Sequence, residues 1–452
     1  MNIDDETIVA RSTAKGFAAI AVIRLSGPKT KEIIRKTTDL SAPLKHRKVF
    51  YCNFIDSGNV VDEVLVTFFK APDSYTGEDL CEISSHGSPA IVREIIDLCI
   101  EAGARYAQPG EFTKRRFLNN KIDLTQAEGI NNLIHSQTEA AAKSSRSLLK
   151  GKIGERLQEI KQEIIDNISI LELELDFTEE EIEHITEDKI KNNITFIIEE
   201  IENLIKTYQY GHLVLNGLNI ALTGPPNSGK SSLLNAIIQE ERAITSSQAG
   251  TTRDFIQESI EHDGYKLTFI DTAGIRKPLD SIENKGIDKA KKIIQSCDLK
   301  LLVIDPGQDY KGYKEFLNEK GTNTLFVINK IDINKEETIS AFINKFNIQK
   351  PIFVSALEHT NIEELNDAIV EWLEAKKPEK EDHIITVQRH YDILKKTKQE
   401  LSKAIKAIDQ GFTSEFIVTD LRHALSSLDN ILGKTTNDEI LNNIFSNFCI
   451  GK

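Results

Sequence analysis

The chain has 452 residues, 40% of them hydrophobic and 28% charged, with a formal net charge of −14. This composition excludes a fibrous or wholly disordered chain, and at roughly 100–200 residues per domain it predicts two to four domains. The acidic balance argues against a broad nucleic-acid grip, because Lys and Arg drive phosphate binding; a local basic patch stays compatible with it. Apolar runs such as Leu299–Ile304 fall far short of the ~18–20 residues a membrane span requires, so no membrane association is expected. The first residues, Asn2, Asp4, Asp5 and Glu6, show no basic-then-apolar leader. Five cysteines (Cys52, Cys81, Cys99, Cys297, Cys449) without a C-x-x-C pair read as reduced thiols, and a cytoplasmic location is expected. No H-E-x-x-H or Cys/His zinc spacing occurs.

In chain order, residues 1–120 hold short apolar runs, Ile20–Leu25 and Val64–Phe69, broken at Gly27-Pro28, Ala71-Pro72-Asp73 and Gly110. They predict a mixed α/β region with several strands and carry no catalytic motif by spacing alone. Ile153, Leu157, Ile160, Ile164, Ile168, Leu171 and Leu175 then recur at steps of 4, 3, 4, 4, 3 and 4, one face of a long amphipathic helix. Glu179–Glu183 reads as an acidic turn or helix start. Residues 214–377 alternate short apolar strands with helix-length segments: Leu218–Thr223, Leu267–Asp271, Leu299–Asp305, Thr324–Asn329 and Ile352–Ser355. That order predicts βαβ units and a doubly wound, mostly parallel sheet. The charged linker Ala375–Asp382 closes the block. Helical periodicity returns at Val387, Tyr391, Leu394, Leu401, Ile405 and Ile408, and again at Leu421, Leu425, Leu428 and Leu432, where Gly433 is a candidate C-cap. The expected fold class is multidomain, α+β and α/β, with one helical domain interrupted by an insertion.

Within the insertion, Gly224-Pro225-Pro226-Asn227-Ser228-Gly229-Lys230-Ser231 fits G-x-x-x-x-G-K-[ST] between a strand and the helical run Ser232–Ile238. Backbone N–H groups and the helix end cradle phosphates there, Lys230 neutralises the β/γ-phosphates, and the Ser231 hydroxyl ligates Mg²⁺. Asp271-Thr272-Ala273-Gly274 follows a strand; the Asp271 carboxylate can hold Mg²⁺ through water, and the Gly274 N–H can sense a γ-phosphate. Asn329-Lys330-Ile331-Asp332 ends another strand, where Asp332 can accept both guanine donors, N1–H and the N2 amine. Adenine lacks that pair, and losing such a pairing costs ~10⁴-fold in selectivity, so the order of motifs points to GTP. Ser355-Ala356-Leu357 supplies a main-chain N–H for the guanine O6. Gly250-Thr251-Thr252-Arg253-Asp254 lies between the first two motifs, with Thr252 the second hydroxyl ligand for Mg²⁺ and part of a switch over the γ-phosphate. After Gly274 stands Ile275, which cannot orient water, and no arginine is placed as a finger; a missing finger forfeits ~10³–10⁵ in rate.

The sequence GPPNSGKS, GTTRD, DTAG and NKID, set between two halves of a helical region, resembles the MnmE/TrmE family of tRNA-modification GTPases. Ser74–Glu82 (SYTGEDLCE), Pro109–Glu128 (PGEFTKRRFLNNKIDLTQAE) and the terminal Cys449-Ile450-Gly451-Lys452 share the resemblance, which covers essentially the whole chain. It implies an N-terminal tetrahydrofolate-binding and dimerisation domain at 1–120, a helical domain at 121–213 and 379–452, and a G domain at 214–378. It further implies a cytoplasmic homodimer acting with two FAD-dependent subunits of the MnmG/GidA type as a heterotetramer. Together these place an aminomethyl or carboxymethylaminomethyl group on C5 of the wobble uridine of certain tRNAs, with 5,10-methylene-tetrahydrofolate as carbon donor and 5-formyl-tetrahydrofolate as the alternative ligand.

By position, the resemblance extends the nucleotide contacts to Ser232, Ser246, Ser247, Gln248 and Ala249. It makes Asn227, Ser246, Gln248 and Thr251 the K⁺ ligands and Glu283 the catalytic glutamate that orients water. K⁺ thereby takes the finger's place and Glu283 the missing glutamine's. Arg24, Glu82, Lys121 and Lys452 match folate contacts. Cys449 is a candidate for chemistry, with Lys452 as the cation beside it. Two departures stand out: Lys15–Ala19 reads KGFAA where the family is richer in glycine and carries arginine, and Arg116 replaces a small residue. Two other functions compete. A ribosome-assembly GTPase would add an RNA-binding module after Pro378, where no G-x-x-G loop occurs; a folate-binding regulatory scaffold would leave tRNA modification untouched.

Overall fold

The computed structural model describes residues 6–176, 187–240, 257–271, 296–313, 316, 323–379, 383–435 and 438–452. The chain divides into two compact units. One holds Met1–Asn131, Leu148–Ile194 and Gln399–Lys452; the other holds Asn132–Ser147 and Thr195–Lys398.

The first unit opens with β1 (Ile8–Arg11), β2 (Ala18–Ser26), α1 (Thr30–Thr37), β3 (Val49–Asp56), β4 (Asn59–Phe69), β5 (Leu80–Gly87), α2 (Pro89–Glu101) and β6 (Arg105–Tyr106). The six strands pair in the order β3-β4-β5-β2-β1-β6, antiparallel except for β1 with β6. Side chains alternate across a strand, so Ala21, Ile23 and Leu25 of β2 are fully buried while Val22 and Arg24 are only partly so. The buried face packs with Ile83, Val66 and Phe54 against Ile33 and Ile34 of α1 and Ile95 and Cys99 of α2. Each such aliphatic burial stabilises by ~1.5–3 kcal/mol. The opposite parity places Arg24 directly across from Glu82 of β5.

Helices follow: α3 (Glu111–Leu118), α4 (Leu124–His135), α5 (Glu139–Leu149), α6 (Lys152–Asp176) and α7 (Glu187–Asn216). The stripe Ile153, Leu157, Ile160, Ile164, Ile168 and Leu171 is buried along α6, as its periodicity predicts.

In the second unit come β7 (Leu218–Thr223), α8 (Lys230–Glu240), β8 (Gln257–His262), β9 (Tyr265–Asp271), β10 (Leu299–Ile304), β11 (Thr324–Ile328), α9 (Glu336–Phe346), β12 (Ile352–Phe353) and α10 (Ile362–Glu374). Helices α11 (Gln388–Asp409), α12 (Ser414–Leu432) and α13 (Asp438–Ser446) complete the chain. In the first unit α12 lies along α6 and ends at Gly433, whose φ of +85° and N–H bond to the Asp429 carbonyl are those of the expected C-cap.

The second sheet runs β12-β11-β10-β7-β9-β8, and every neighbouring pair is parallel except β8 with β9. This is the doubly wound, mostly parallel sheet expected from the strand spacing. Its central strands are apolar on both faces (Ile220, Leu222, Leu301 and Val303 are fully buried), which is why they read as continuous runs. Strand β8 escapes a sequence reading because it is a polar edge, with only Ile260 and His262 turned inward. At the start of β9, Tyr265 donates to Glu374 of α10, and Tyr210 of α7 lies 3.3 Å from the Tyr265 hydroxyl and 3.5 Å from the same carboxylate oxygen. The near end of β9 is thereby tied down; its far end carries Asp271.

Candidate functional site

Ligands of doubly wound sheets bind beyond the carboxyl ends of the strands. Three strand ends converge here. After β7 the chain turns through Gly224 to Gly229 into α8. Gly224 has φ +135°, and a Cβ there would lie 2.5 Å from the Val303 carbonyl oxygen. Gly229 has φ +96°, and its Cβ would lie 2.2 Å from Asn329 Nδ2. Both glycines are therefore required by backbone conformation and by close approach. The Ser228 Oγ between them is buried and without a hydrogen-bond partner among the described residues, an orphan polar atom inside the loop. Lys230, also buried, donates to the carbonyls of Gly224 at 3.1 Å and Pro225 at 2.8 Å, so its ammonium lies against the loop.

Ser231 stands exposed on the first turn of α8 and donates to Asp271 Oδ2 at 2.7 Å. The Asp271 carboxylate is buried at the end of β9. A hydroxyl and a carboxylate at hydrogen-bond distance form an all-oxygen donor set, which is the chemistry a hard cation such as Mg²⁺ takes. Ser232 is exposed beside it.

Asn329 is buried where β11 ends and joins three loops. Its Nδ2 donates to the Ser228 carbonyl at 3.1 Å, and its Oδ1 accepts the N–H groups of Lys330 at 2.8 Å and Ala356 at 3.1 Å. Lys330, in the left-handed region at φ +61°, reaches the Asn227 carbonyl at 3.0 Å and the Asp305 carboxylate at 2.8 Å. Asp332 is exposed, and its carboxylate accepts the Ser355 hydroxyl at 2.7 Å. The Ala356 N–H is thus committed to Asn329, and Leu357 is exposed. Asn227, exposed at φ +64°, holds its backbone in place through Lys330.

Of the candidate residues of the first unit, Arg24 and Lys452 lie about Tyr75 and Glu82 joins them through Arg24. Arg24 reaches Glu82 through Nη2 at 2.7 Å and Nε at 3.2 Å, across the β2–β5 register. The guanidinium carbon of Arg24 lies 4.7 Å from the Tyr75 ring centre, that of Arg116 lies 4.7 Å from it, and Lys452 Nζ lies 6.0 Å from it. The last residues are held by the chain around them. Gly451 has φ +95°, and a Cβ there would sit 2.1 Å from the Arg11 carbonyl oxygen. Its own carbonyl accepts the Ser12 hydroxyl at 3.0 Å, and Ile450 bridges to Pro109. Gly110, at φ +67°, leaves no room for a Cβ, which would meet the Phe445 carbonyl oxygen at 2.6 Å. Burial holds the Lys452 ammonium below its ordinary pKa, and the Arg24 and Arg116 charges push the same way against Glu82. Lys121 is exposed, and its ammonium makes no hydrogen bond or ion pair with a described residue.

Two family models match the chain: the GTP-binding protein TrmE N-terminus over residues 7–121 and the MnmE helical domain over residues 124–449. A relative named tRNA modification GTPase MnmE from Aquifex aeolicus is 38% identical, across 99% of this chain and 100% of its own. One of the same name from Cytophaga hutchinsonii is 36% identical, across 99% of this chain and 98% of its own. The chain belongs to the MnmE family. Among solved structures, Era bound to MgGDPNP and 16S ribosomal RNA is 29% identical over 34% of this chain and 56% of its own, with a TM-score of 0.28.

In this MnmE-family chain, Ser246, Ser247, Gln248, Ala249, Gly250, Thr251, Thr252, Thr272, Ala273, Gly274 and Glu283 lie outside the described residues. Three participants escape a reading of the motifs. Asp305, at the end of β10, orients Lys330 and accepts Asn334 Nδ2 at 3.2 Å; a carboxylate at a strand end was its only signal. Tyr75 and Arg116 join the first-unit cluster from separate segments, and Arg116 shows in the sequence only as an odd charge.

Proposed function

We infer that this chain is a tRNA modification GTPase. It hydrolyses GTP at the loop 224–231, and the hydrolysis serves modification of tRNA. The observation that carries the reading is Asn329, one buried amide bonded to the phosphate loop, to its own motif and to the Ser355–Leu357 loop, so that phosphate and base recognition are positioned together. On nucleotide binding, Lys230 exchanges the two carbonyls it holds for β- and γ-phosphate oxygens. The Ser228 hydroxyl and the loop N–H groups receive the phosphates beside it. Asp332 accepts N1–H and the N2 amine of guanine; the base covers an acid that is otherwise exposed, and adenine leaves it unpaired.

Mg²⁺, when bound, neutralises charge on the β- and γ-phosphates. Ser231 and Thr252 would hold it through their hydroxyls, and the Asp271 carboxylate through water. Asn227 offers its amide oxygen to K⁺, with Ser246, Gln248 and Thr251 contributing the other oxygens, and Glu283 orients the attacking water. In this proposal the N-terminal domain spans 1–120, the helical domain 121–213 and 379–452, and the G domain 214–378. The chain acts as a homodimer with two FAD-dependent MnmG/GidA-type subunits on C5 of the wobble uridine. Arg24, Glu82 and Lys452 receive a one-carbon tetrahydrofolate (5,10-methylene or 5-formyl), with Lys121 at the rim. The close Arg24–Glu82 pair and the docked Lys452 support that assignment.

GTP turnover measured in KCl and in NaCl tests the centre of this reading. The rate in KCl is expected to exceed the other by an order of magnitude or more, since the cation replaces a finger worth ~10³–10⁵. Glu283→Ala is expected to keep GTP affinity and lose turnover. Equal rates in the two salts remove Asn227 from the role given to it, and surviving turnover in the variant removes Glu283. Nucleoside analysis of tRNA from cells lacking the protein tests the modification itself; intact wobble uridines there favour an assembly or scaffold role.

A further inference from the structure

Two of the three cations of the Tyr75 cluster have no ion-pair partner among the described residues. Arg24 is matched by Glu82 at 2.7 Å. Arg116 and Lys452 are within 4.7 and 6.0 Å of the same ring centre, and neither forms an ion pair with a described residue. Arg24 Nη1 and Arg116 Nε are buried without a hydrogen-bond partner among the described residues. The neighbouring residue on α3 makes the contrast: Arg115 reaches Glu78 at 3.0 Å and Glu111 at 3.2 Å. A ring quadrupole attracts a cation but cannot neutralise it, and removing cations from water without a counter-charge is costly. The backbone around Gly110 and Gly451 nevertheless forces these groups together. Such an arrangement fits a ligand that brings its own negative charge, and a guanidinium fork is shaped for a carboxylate.

Resting on the folate reading above, we propose that Arg116 and Lys452, arranged about Tyr75, form a dianion subsite for the two carboxylates of the ligand's glutamate tail. The Arg24–Glu82 pair, already neutral as a unit, is left for the uncharged ring system. Arg116 is then a specificity residue that distinguishes a complete folate from its pterin fragment. It also gives a role to a charge where the resemblance expects a small side chain.

The test is calorimetric titration of the full-length chain with two probes, 5-formyl-tetrahydrofolate and 6-methyl-tetrahydropterin, which lacks the glutamate. Arg116→Ala is expected to weaken the folate roughly 10- to 100-fold, the worth of a lost charge-assisted contact, and to leave the pterin within about twofold. Arg116→Lys is expected to recover part of the loss. If Arg116→Ala binds the folate as wild type does, the dianion subsite is wrong while the folate reading stands. If it weakens both probes alike, Arg116 is structural and the proposal fails. If the wild-type chain binds neither probe, the folate reading fails and takes the subsite with it.

Discussion

In the proposed function, the phosphate loop and the Tyr75 cluster each hold an anionic ligand, with different materials. At the loop, the ligand is met by backbone: Gly224 and Gly229 adopt conformations and approach distances that exclude a side chain, and the residues concerned are consecutive. At the Tyr75 cluster it is met by side chains: Arg24 from β2, Tyr75 from the segment before β5, Glu82 from β5, Arg116 from α3 and Lys452 from the last residue. A backbone site needs a local conformation and writes itself as a motif. A side-chain site needs a tertiary fold to bring distant residues together and leaves no spacing rule. The loop is therefore expected to be brittle to a single methyl group, and the cluster graded with charge.

The largest effect is expected from Gly229→Ala. The added Cβ meets the Asn329 amide at 2.2 Å on a backbone at φ +96°, so the clamp and the loop cannot both persist. GTP turnover is expected to fall to background, with folate binding unchanged. Turnover within tenfold of wild type would show that the loop adapts and that its backbone is not the determinant.

Next comes the scaffold under the Tyr75 cluster. Arg115 is buried between Glu78 and Glu111, and its Nη1 also donates to the Glu6 carbonyl at 2.8 Å. Arg115→Ala takes the ion-pair partner from the partly buried Glu78 and leaves the buried Glu111 to Arg105 alone, and is expected to destabilise the first unit by about 3 kcal/mol. Hydrogen exchange at β1, β2 and β5 reads that loss. Unaltered exchange there would mean the carboxylates are rescued by Arg105, which already reaches Glu111 at 2.8 Å.

The smallest effect concerns the thiols. Burial pushes Cys52 up to about 11, Cys99 up to about 12 and Cys297 up to about 11, and raises Cys81 further still. At pH 8 these stay protonated and unreactive, while Cys449 is exposed. Iodoacetamide is expected to label Cys449 first and to lower folate affinity a few-fold with GTP turnover intact, because Cys449 lies beside Lys452 in the docked tail. Peptide mass spectrometry identifies the labelled position; a label on Cys52 or Cys99 ahead of it would contradict the buried core.

Much of the second unit was legible from residues alone. Leu218–Thr223 and Leu299–Ile304 are apolar on both faces because helices cover both sides of the sheet, and that makes a run easy to see. The stripe from Ile153 to Leu171 was legible for the same reason, since a helix of that length repeats its buried face many times. Strand β8 was not, because a polar edge with two inward side chains carries too little pattern. Arg116 looked anomalous until the fold placed it over Tyr75, and Lys121, which the resemblance groups with the folate contacts, emerges exposed.

Sequence by itself determined the family, the order of strands and helices, and the loop that receives phosphate. Each of these is written in short-range terms: residue spacing, strand period and the glycines a turn demands. Only the tertiary structure decided that Asn329 ties its own strand end and the Ser355–Leu357 loop to the loop 224–231, that Asp305 holds Lys330, and that Arg116 and Lys452 close on Tyr75 with no ion-pair partner among the described residues. Charge balance is a property of what lies within a few ångströms, and chain order does not report that distance until the chain has folded.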